Sequence, residues 1–510
     1  MNSIQQRIEA VGSQRLLKMG RGIEKEGLRI TPEGGLALTP HPAALGSALT
    51  HASITTDYSE SQIEIITGVH QDVQDCLDEL ADVHQYAYQV LQAGNDERLW
   101  ISSMPCSLPS DETIPLGRYG TSNSGRSKSV YRMGLGHRYG RRMQTISGIH
   151  YNWSMPDISS EQYFGLIRNF RREAFLLLYL FGASPVLCPC FVSDRPHGLQ
   201  PLGKGNQALY LPHATSLRMG RLGYQSDAQA SINVSYNNLK GYADSLYGAL
   251  TQPYPAYEKV GVINPGGEYN QLGTSLLQIE NEFYGTIRPK RTVQRGERPL
   301  HALRERGVEY VEVRLMDIDP FESMGIAAST MRLLDVFLLY CLLADSPPDS
   351  PAEITEMKHN QHMAAERGRE PGLQLQRNGQ PVLLTDWATE VLTACVPIAA
   401  ALDAAHGVHD YSNALQAAQQ LVQHPEQTPS ARVLQAVSGQ YGNNFKAFGV
   451  AQSQVARDAT LARPWSDAQT AHFQQLAADS VKAQKAIEAA DTMPFEAWRQ
   501  QYMSPEQLVV

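Results

Sequence analysis

Five short stretches of this chain alternate with period two, and in each the residues of one parity are polar, mostly acidic. Residues i and i+2 of a β-strand point to the same side, so the pattern predicts strands with one chemically distinct face. In residues 21–30, Glu24 and Glu26 share a side, opposite Ile23 and Lys25. In 55–67, Glu60, Gln62 and Glu64 share a side, and Asp57 lies near the strand's start. In 144–154 the shared set is Gln144, Ile146, His150 and Asn152; in 278–284 it is Gln278, Glu280 and Glu282. In 309–315 it is Tyr310, Glu312 and Arg314, opposite Val311, Val313 and Leu315.

For any one strand, the ordinary explanation is an antiparallel sheet with one wet face. Together the five fit it less well. Solvated faces mix signs, because like charges opposite one another destabilise a sheet. These faces carry carboxylates and one His, with few basic partners. If the strands are neighbours, a hard divalent cation relieves the repulsion. Mg²⁺ or Mn²⁺ takes oxygen ligands, and one imidazole among them suits Mn²⁺ or a loosely held Mg²⁺. Mg²⁺ most often serves phosphate chemistry, so the pattern suggests an ATP-dependent reaction on a carboxylate-lined sheet.

Composition narrows the class. The 43 basic and 52 acidic side chains leave a net charge of -9, which supports neither nucleic-acid binding nor a polybasic membrane surface. The polar N-terminus MNSIQQRIEA has no apolar targeting core. The most apolar runs, 174–181 and 336–344, are too short for a bilayer and are read as buried elements. The six cysteines are sparse, and the one close pair, Cys188 and Cys190, lacks the C-x₂-C spacing of a zinc site. Free thiols in a soluble, cytoplasmic protein are expected, with a monomer as the assembly.

Residues 346–351, SPPDSP, read as a junction between a mixed region, 1–350, and a mainly helical one, 351–510, packed on it. Val73, Leu77, Leu80, His84, Ala87 and Leu91 recur at helical spacing, with Gly94 as the stop. Ser466 and Gln469 form a capping-box pattern before Phe473, Leu476, Ala477 and Val481. With no reactive motif in it, the C-terminal region is read as scaffold.

Nucleotide motifs fail. In 198–205, GLQPLGKG, Gly205 stands where a phosphate-binding loop needs a hydroxyl; Gly134, Gly136 and Gly140 miss the dinucleotide spacing. Basic side chains at Arg288, Lys290 and Arg291 are the alternative contacts for ATP.

The chain resembles the proteobacterial type of glutamate–cysteine ligase, the first enzyme of glutathione synthesis. The matching stretches are RGIEKEGLRI, HPAALGSALTHASITTDYSESQIEIIT, YGTSNSGRSKSVYRMGL, RYGRRMQTISGIHYNWS, LFGASP, YLPHATSLRMGRLGY, LLQIENEFYGTIRPKR and GVEYVEVRLMDIDPF. The resemblance implies an α+β, glutamine-synthetase-like fold, in which a curved antiparallel sheet forms an active-site funnel with helices outside. It implies ligation of L-glutamate to L-cysteine with ATP as substrate and several Mg²⁺ or Mn²⁺ ions. By motif, the metal ligands are Glu24, Glu26, Asp57, Glu64, His150 and Glu312, and Arg314 stabilises the transferring phosphoryl group. The cysteine pocket is Tyr131, Leu135, Gln144, Tyr224 and Tyr284. Arg132 and Arg218 are candidates for substrate α-carboxylates, because a guanidinium fork matches a carboxylate, and Asn152 for a further polar contact. Glu60, Glu280 and Glu282 stay unassigned. The chain stops well short of the fused form with a second, glutathione-synthesising domain, so one activity is expected. Two rival readings stand: a γ-glutamyl ligase with a different acceptor amine, and a metal-dependent binding protein without turnover.

Overall fold

The computed structural model describes residues 3–193, 195–205, 207–223, 227–230, 232–294 and 296–509. Its centre is an antiparallel sheet built on the eleven-residue strand Gly20–Ile30. On one side of this strand lie Gln62–Ile66 and then Ile54–Thr56; on the other lie Ile149–Ser154, Tyr310–Met316 and Ile287–Lys290. Arg98–Leu99 pairs with the far end of the central strand.

The back of the sheet is apolar. Ile23, Ile63, Ile65, Tyr151, Trp153, Val311 and Val313 belong to the main core together with the helices Val73–Ala93, Ser160–Phe181 and Ala328–Leu343. A one-residue slip would turn this set to the other side, at about 1.5–3 kcal/mol for each large side chain exposed, so burial fixes the register. Two polar pairs are also buried behind the sheet. Arg21 pairs with Asp335 at 3.0 Å, and the Tyr151 hydroxyl donates to the same carboxylate. Lys25 Nζ sits 2.9 Å from His84 Nε2, and burial pushes the lysine down to about 7.

The helix at 73–93 forms as its spacing predicts, capped by Asp72 and stopped at Gly94. Runs 174–181 and 336–344 fall in buried helices. The capping box of Ser466 and Gln469 opens the helix Asp467–Ala490, where Phe473 and Ala477 are buried but Val481 is 36% exposed.

Several expectations are corrected. Residues 55–67 are not one strand: a turn at 57–61, closed by Asp57 N–H donating to the Gln62 carbonyl, makes them a hairpin. Residues 278–284 form no strand. Glu280–Glu282 is a 3₁₀ turn; Glu280 pairs with Arg298 at 2.8 Å and Glu282 with Arg138 at 2.8 Å. Their alternation served buried ion pairs, not a sheet face. The C-terminal region is helical but contains the hairpin Gln374–Arg377/Gln380–Leu383, turned at Asn378 and Gly379 with φ of 55° and 72°. The junction 346–351 is pinned: Arg168 donates to Ser346, and Arg171 pairs with Asp349. Leu384–His406 is apolar enough by composition to cross a membrane, but it is two helices divided at Cys395, with Trp387, Leu392, Ile398 and Leu402 buried in the core.

Candidate functional site

The front of the sheet faces a cavity of about 520 Å³. Strand pairing assembles its floor. Glu24 stands opposite His150, and Glu26 opposite Glu64. Glu312 pairs with Asn152 on one side and Arg288 on the other. Asp57 enters from the hairpin turn. All six side chains read as metal ligands, Glu24, Glu26, Asp57, Glu64, His150 and Glu312, line the cavity.

Two clusters share this floor. In the first, ligand atoms of Glu24, His150 and Glu312 lie within 4.8 Å of one another. His150 Nδ1 is 3.0 Å from Glu24 Oε2 and donates to it, which leaves Nε2 with its lone pair 3.7 Å from Glu26 Oε1. Burial and the Arg314 charge hold this imidazole below its ordinary value, in the neutral form that binds metals. Burial opposes charge on Glu312 too, but Lys290 and Arg314 overcome it and hold the carboxyl well below its usual range.

In the second cluster, Glu26, Asp57 and Glu64 crowd one another. Burial, reinforced by Asp57, pushes Glu26 up to about 8; burial with Asp57, Glu24 and Glu26 pushes Glu64 well above its ordinary value. Both shifts express the same physics: too much negative charge in too little water.

Arg314 reaches this floor from a β-bulge. The register shifts between Val313 and Met316, and Arg314 N–H donates to the Thr286 carbonyl. Bulges re-aim side chains beside active sites. Arg314 Nη1 lies 2.8 Å from Glu312 Oε2, while Lys290 Nζ grips Oε1 at 2.9 Å. Arg288 stands 3.9 Å from the same carboxylate.

The helix Asn123–Tyr139 supplies a wall, with Lys128, Tyr131, Arg132 and Leu135 exposed to the cavity at helical spacing. Gln144 leaves the strand pattern for a 3₁₀ turn, and its amide donates to the Tyr284 hydroxyl at 2.8 Å. Tyr131, Leu135 and Tyr284 pack in one small apolar cluster with Tyr58 and Tyr139. Arg132 lines the cavity while holding the Asp57 carbonyl and stacking on Tyr119. Arg218 also lines it, buried against the Arg314 carbonyl.

Some sequence candidates stand elsewhere. Asn152 shares the face of His150 but does not line the cavity, its amide donating to Glu24 Oε1 at 2.9 Å. Arg291 turns away to the Arg306 carbonyl. Tyr224 lies outside the described residues. Glu60 is spent on the backbone N–H groups of His41 and Arg118.

Sequence reasoning missed other lining groups. Lys128, pushed down to about 8 by burial, faces the cavity. So do Trp498 and Tyr502 of the C-terminal helix Phe495–Met503, so that region is more than scaffold. Their i, i+4 spacing is that of any core stripe, which hides them in the sequence.

A family model described as glutamate-cysteine ligase matches residues 5–364. The chain belongs to the glutamate–cysteine ligase family. The curated glutamate–cysteine ligase of Alcanivorax borkumensis is 46% identical over 528 residues, covering 98% of this chain and 99% of that one. That of Azotobacter vinelandii is 48% identical, covering 93% and 92%. The solved structure of glutamate–cysteine ligase from Francisella tularensis in complex with AMP superposes with a TM-score of 0.89 at 36% identity, covering 95% of this chain and 97% of that one. A bifunctional glutathione synthetase from Pasteurella multocida shares the fold, with a TM-score of 0.71 at 23% identity; it covers 93% of this chain and 58% of that longer one. The likeness to the glutamate–cysteine ligases thus includes the C-terminal helices as well as the sheet.

Proposed function

We propose that the cavity joins the γ-carboxylate of L-glutamate to the amine of L-cysteine at the expense of ATP, forming γ-glutamylcysteine, ADP and phosphate. One observation carries this reading beyond family membership: Glu24, His150 and Glu312, from three adjacent strands, meet beside Arg314 and Lys290.

The chemistry explains the need for such a site. A carboxylate is a poor electrophile, so its γ-oxygen first attacks the terminal phosphoryl group of ATP and releases ADP. The cysteine amine then attacks the resulting γ-glutamyl phosphate, and phosphate leaves with the C–O bonding pair. Negative charge gathers on the phosphoryl oxygens, so catalysis is positioning and charge neutralisation.

The floor fits Mg²⁺ or Mn²⁺. Its donors are five carboxylates and one neutral imidazole, and the carboxylates at Glu26 and Glu64 are pushed up by burial and by the neighbouring carboxylates. Glu24, His150 and Glu312 would hold one ion, and Glu26, Asp57 and Glu64 the ions beside it. Bound there, such cations neutralise phosphate and carboxylate oxygens during transfer.

The protein's own groups do the rest. Arg314, always charged and held by Glu312, presents its guanidinium to the transferring phosphoryl group. Lys290 and Arg288 offer positive charge to the ATP phosphates. Tyr131, Leu135 and the Gln144–Tyr284 pair supply an apolar recess with a polar rim for the cysteine side chain. Arg132 and Arg218 are the candidates for carboxylate recognition. Residues 1–350 give the floor and most of the walls, and the region 351–510 closes the cavity with Trp498 and Tyr502, in a cytoplasmic enzyme acting on small metabolites.

A coupled ADP-release assay tests this. With ATP and glutamate, ADP formation should depend on cysteine more strongly than on other amino acids. A different preferred amine would support the rival γ-glutamyl ligase, and no ADP with any amine would support a binding protein.

A further inference from the structure

A second recess, of about 200 Å³, lies beside the catalytic cavity. The two share residues 284–286 and Gln361. Gln144 and Arg314 of the catalytic cavity hold this shared wall: the Gln144 amide donates to the Tyr284 hydroxyl, and Arg314 N–H donates to the Thr286 carbonyl. The helix Pro351–Arg367 turns one face to the recess, with Ile354, Met357, Lys358, Gln361 and His362 at i, i+3, i+4, i+7 and i+8. Ile232, Val234, Tyr236 and Phe283 add apolar surface, and Arg171 enters from the helix Ser160–Phe181.

The charge of this recess is the reverse of the catalytic floor. No carboxylate among the described residues lines it, while Arg171 and Lys358 do. Arg171 is set in place by stacking on the Tyr236 ring at 4.4 Å and by Asp349, which takes Nη1 at 3.1 Å and leaves Nε and Nη2 available. Lys358 Nζ has no hydrogen-bond or ion-pair partner among the described residues. The carboxylates of its own helix are engaged elsewhere: Glu353 with Arg172, Glu366 with Arg221, and Glu356 with the N–H groups of Asn378 and Gly379. Burial, reinforced by Arg221 and Lys358, pushes His362 down to about 4, so it is neutral at physiological pH and the positive charge belongs to Arg171 and Lys358.

Two cations beside apolar walls select an anion with an apolar body. A guanidinium fork and an ammonium both match a carboxylate. An amino acid fits less well, because its ammonium finds no counter-charge in the lining. Sites for drug-sized ligands run from roughly 300 to 1,000 Å³, so this one suits a molecule of a few carbons. We propose that the recess beside Tyr284 is a binding site, separate from the catalytic cavity, for a small monocarboxylate with an apolar body and no ammonium group, held by Arg171 and Lys358.

The test is equilibrium dialysis of the full-length protein against labelled isovalerate. The expected result is saturable uptake of one equivalent per chain. Valine, which is isovalerate with an α-ammonium, and isovaleramide, which lacks the charge, should compete at least about 10-fold more weakly than unlabelled isovalerate. Lys358→Gln should raise Kd about 10-fold or more, and Lys358→Glu should raise it further. Lys358 is exposed, so both variants keep the fold. Ile354→Trp, which fills the recess from a partly exposed position, should abolish uptake. Arg132→Gln should bind like the wild type, which separates this site from the carboxylate-binding candidates of the catalytic cavity. No saturable uptake, uptake unchanged in Lys358→Gln, valine competing as well as isovalerate, or uptake lost in Arg132→Gln would each overturn the proposal.

Discussion

His150 Nδ1 donates to Glu24 Oε2 at 3.0 Å across two strands whose register sets the residues face to face. One bond thereby fixes the tautomer of a cavity imidazole and the orientation of a cavity carboxylate. Removing the negative charge of that carboxylate by Glu24→Gln should lower kcat by about 100-fold or more, as losses around metal ligands do. The helical content and thermal midpoint should change little. Steady-state ADP release and circular dichroism on the purified variant measure both.

Arg314 acts on charge that develops during transfer. Arg314→Ala should reduce kcat by about 10²- to 10³-fold while KM for ATP and glutamate moves much less. Arg314→Lys should recover only part of the loss, because an ammonium lacks the planar fork. A pure rise in KM would reassign the residue to ground-state binding.

Tyr284 accepts from Gln144 at the rim of the apolar recess. Tyr284→Phe removes that acceptor and leaves the Gln144 amide short of a partner. The KM for cysteine should rise about 10-fold, with KM for ATP and glutamate nearly unchanged. Varying each substrate in turn checks the assignment.

The crowded carboxylates predict a pH signature. Glu26 is raised from 4.5 to about 8, so between those values the folded protein binds more protons than the unfolded chain. Stability from this group is therefore complete below about 4.5 and lost as pH rises through about 8. In chelator, the thermal midpoint should fall across that window. Mg²⁺ or Mn²⁺ should flatten the slope by favouring the ionised form, and Glu26→Gln should flatten it without metal. Scanning calorimetry with and without the ion reads the difference.

Much of the floor was legible because strand parity is a strong code: Glu24, Glu26, Glu64, His150 and Glu312 all emerged from period two, and all line one cavity. Asp57 was not legible that way, because it sits in a turn where alternation carries no meaning. The same code misled at Glu280 and Glu282, whose partners Arg298 and Arg138 lie far off in sequence. The hairpin at Asn378 and Gly379 carried a usable signal, since Asn-Gly between short alternating runs favours a tight turn. Trp498 and Tyr502 carried none, because only packing shows which stripe of a helix meets a cavity.

The most direct measurement is anomalous diffraction from crystals grown with Mn²⁺. The account predicts peaks at the cavity floor, bounded by Glu24, His150 and Glu312 and by Glu26, Asp57 and Glu64, and their loss in Glu312→Gln. Manganese bound only on the exterior, or a floor that stays empty while the enzyme turns over in the crystal, would contradict it.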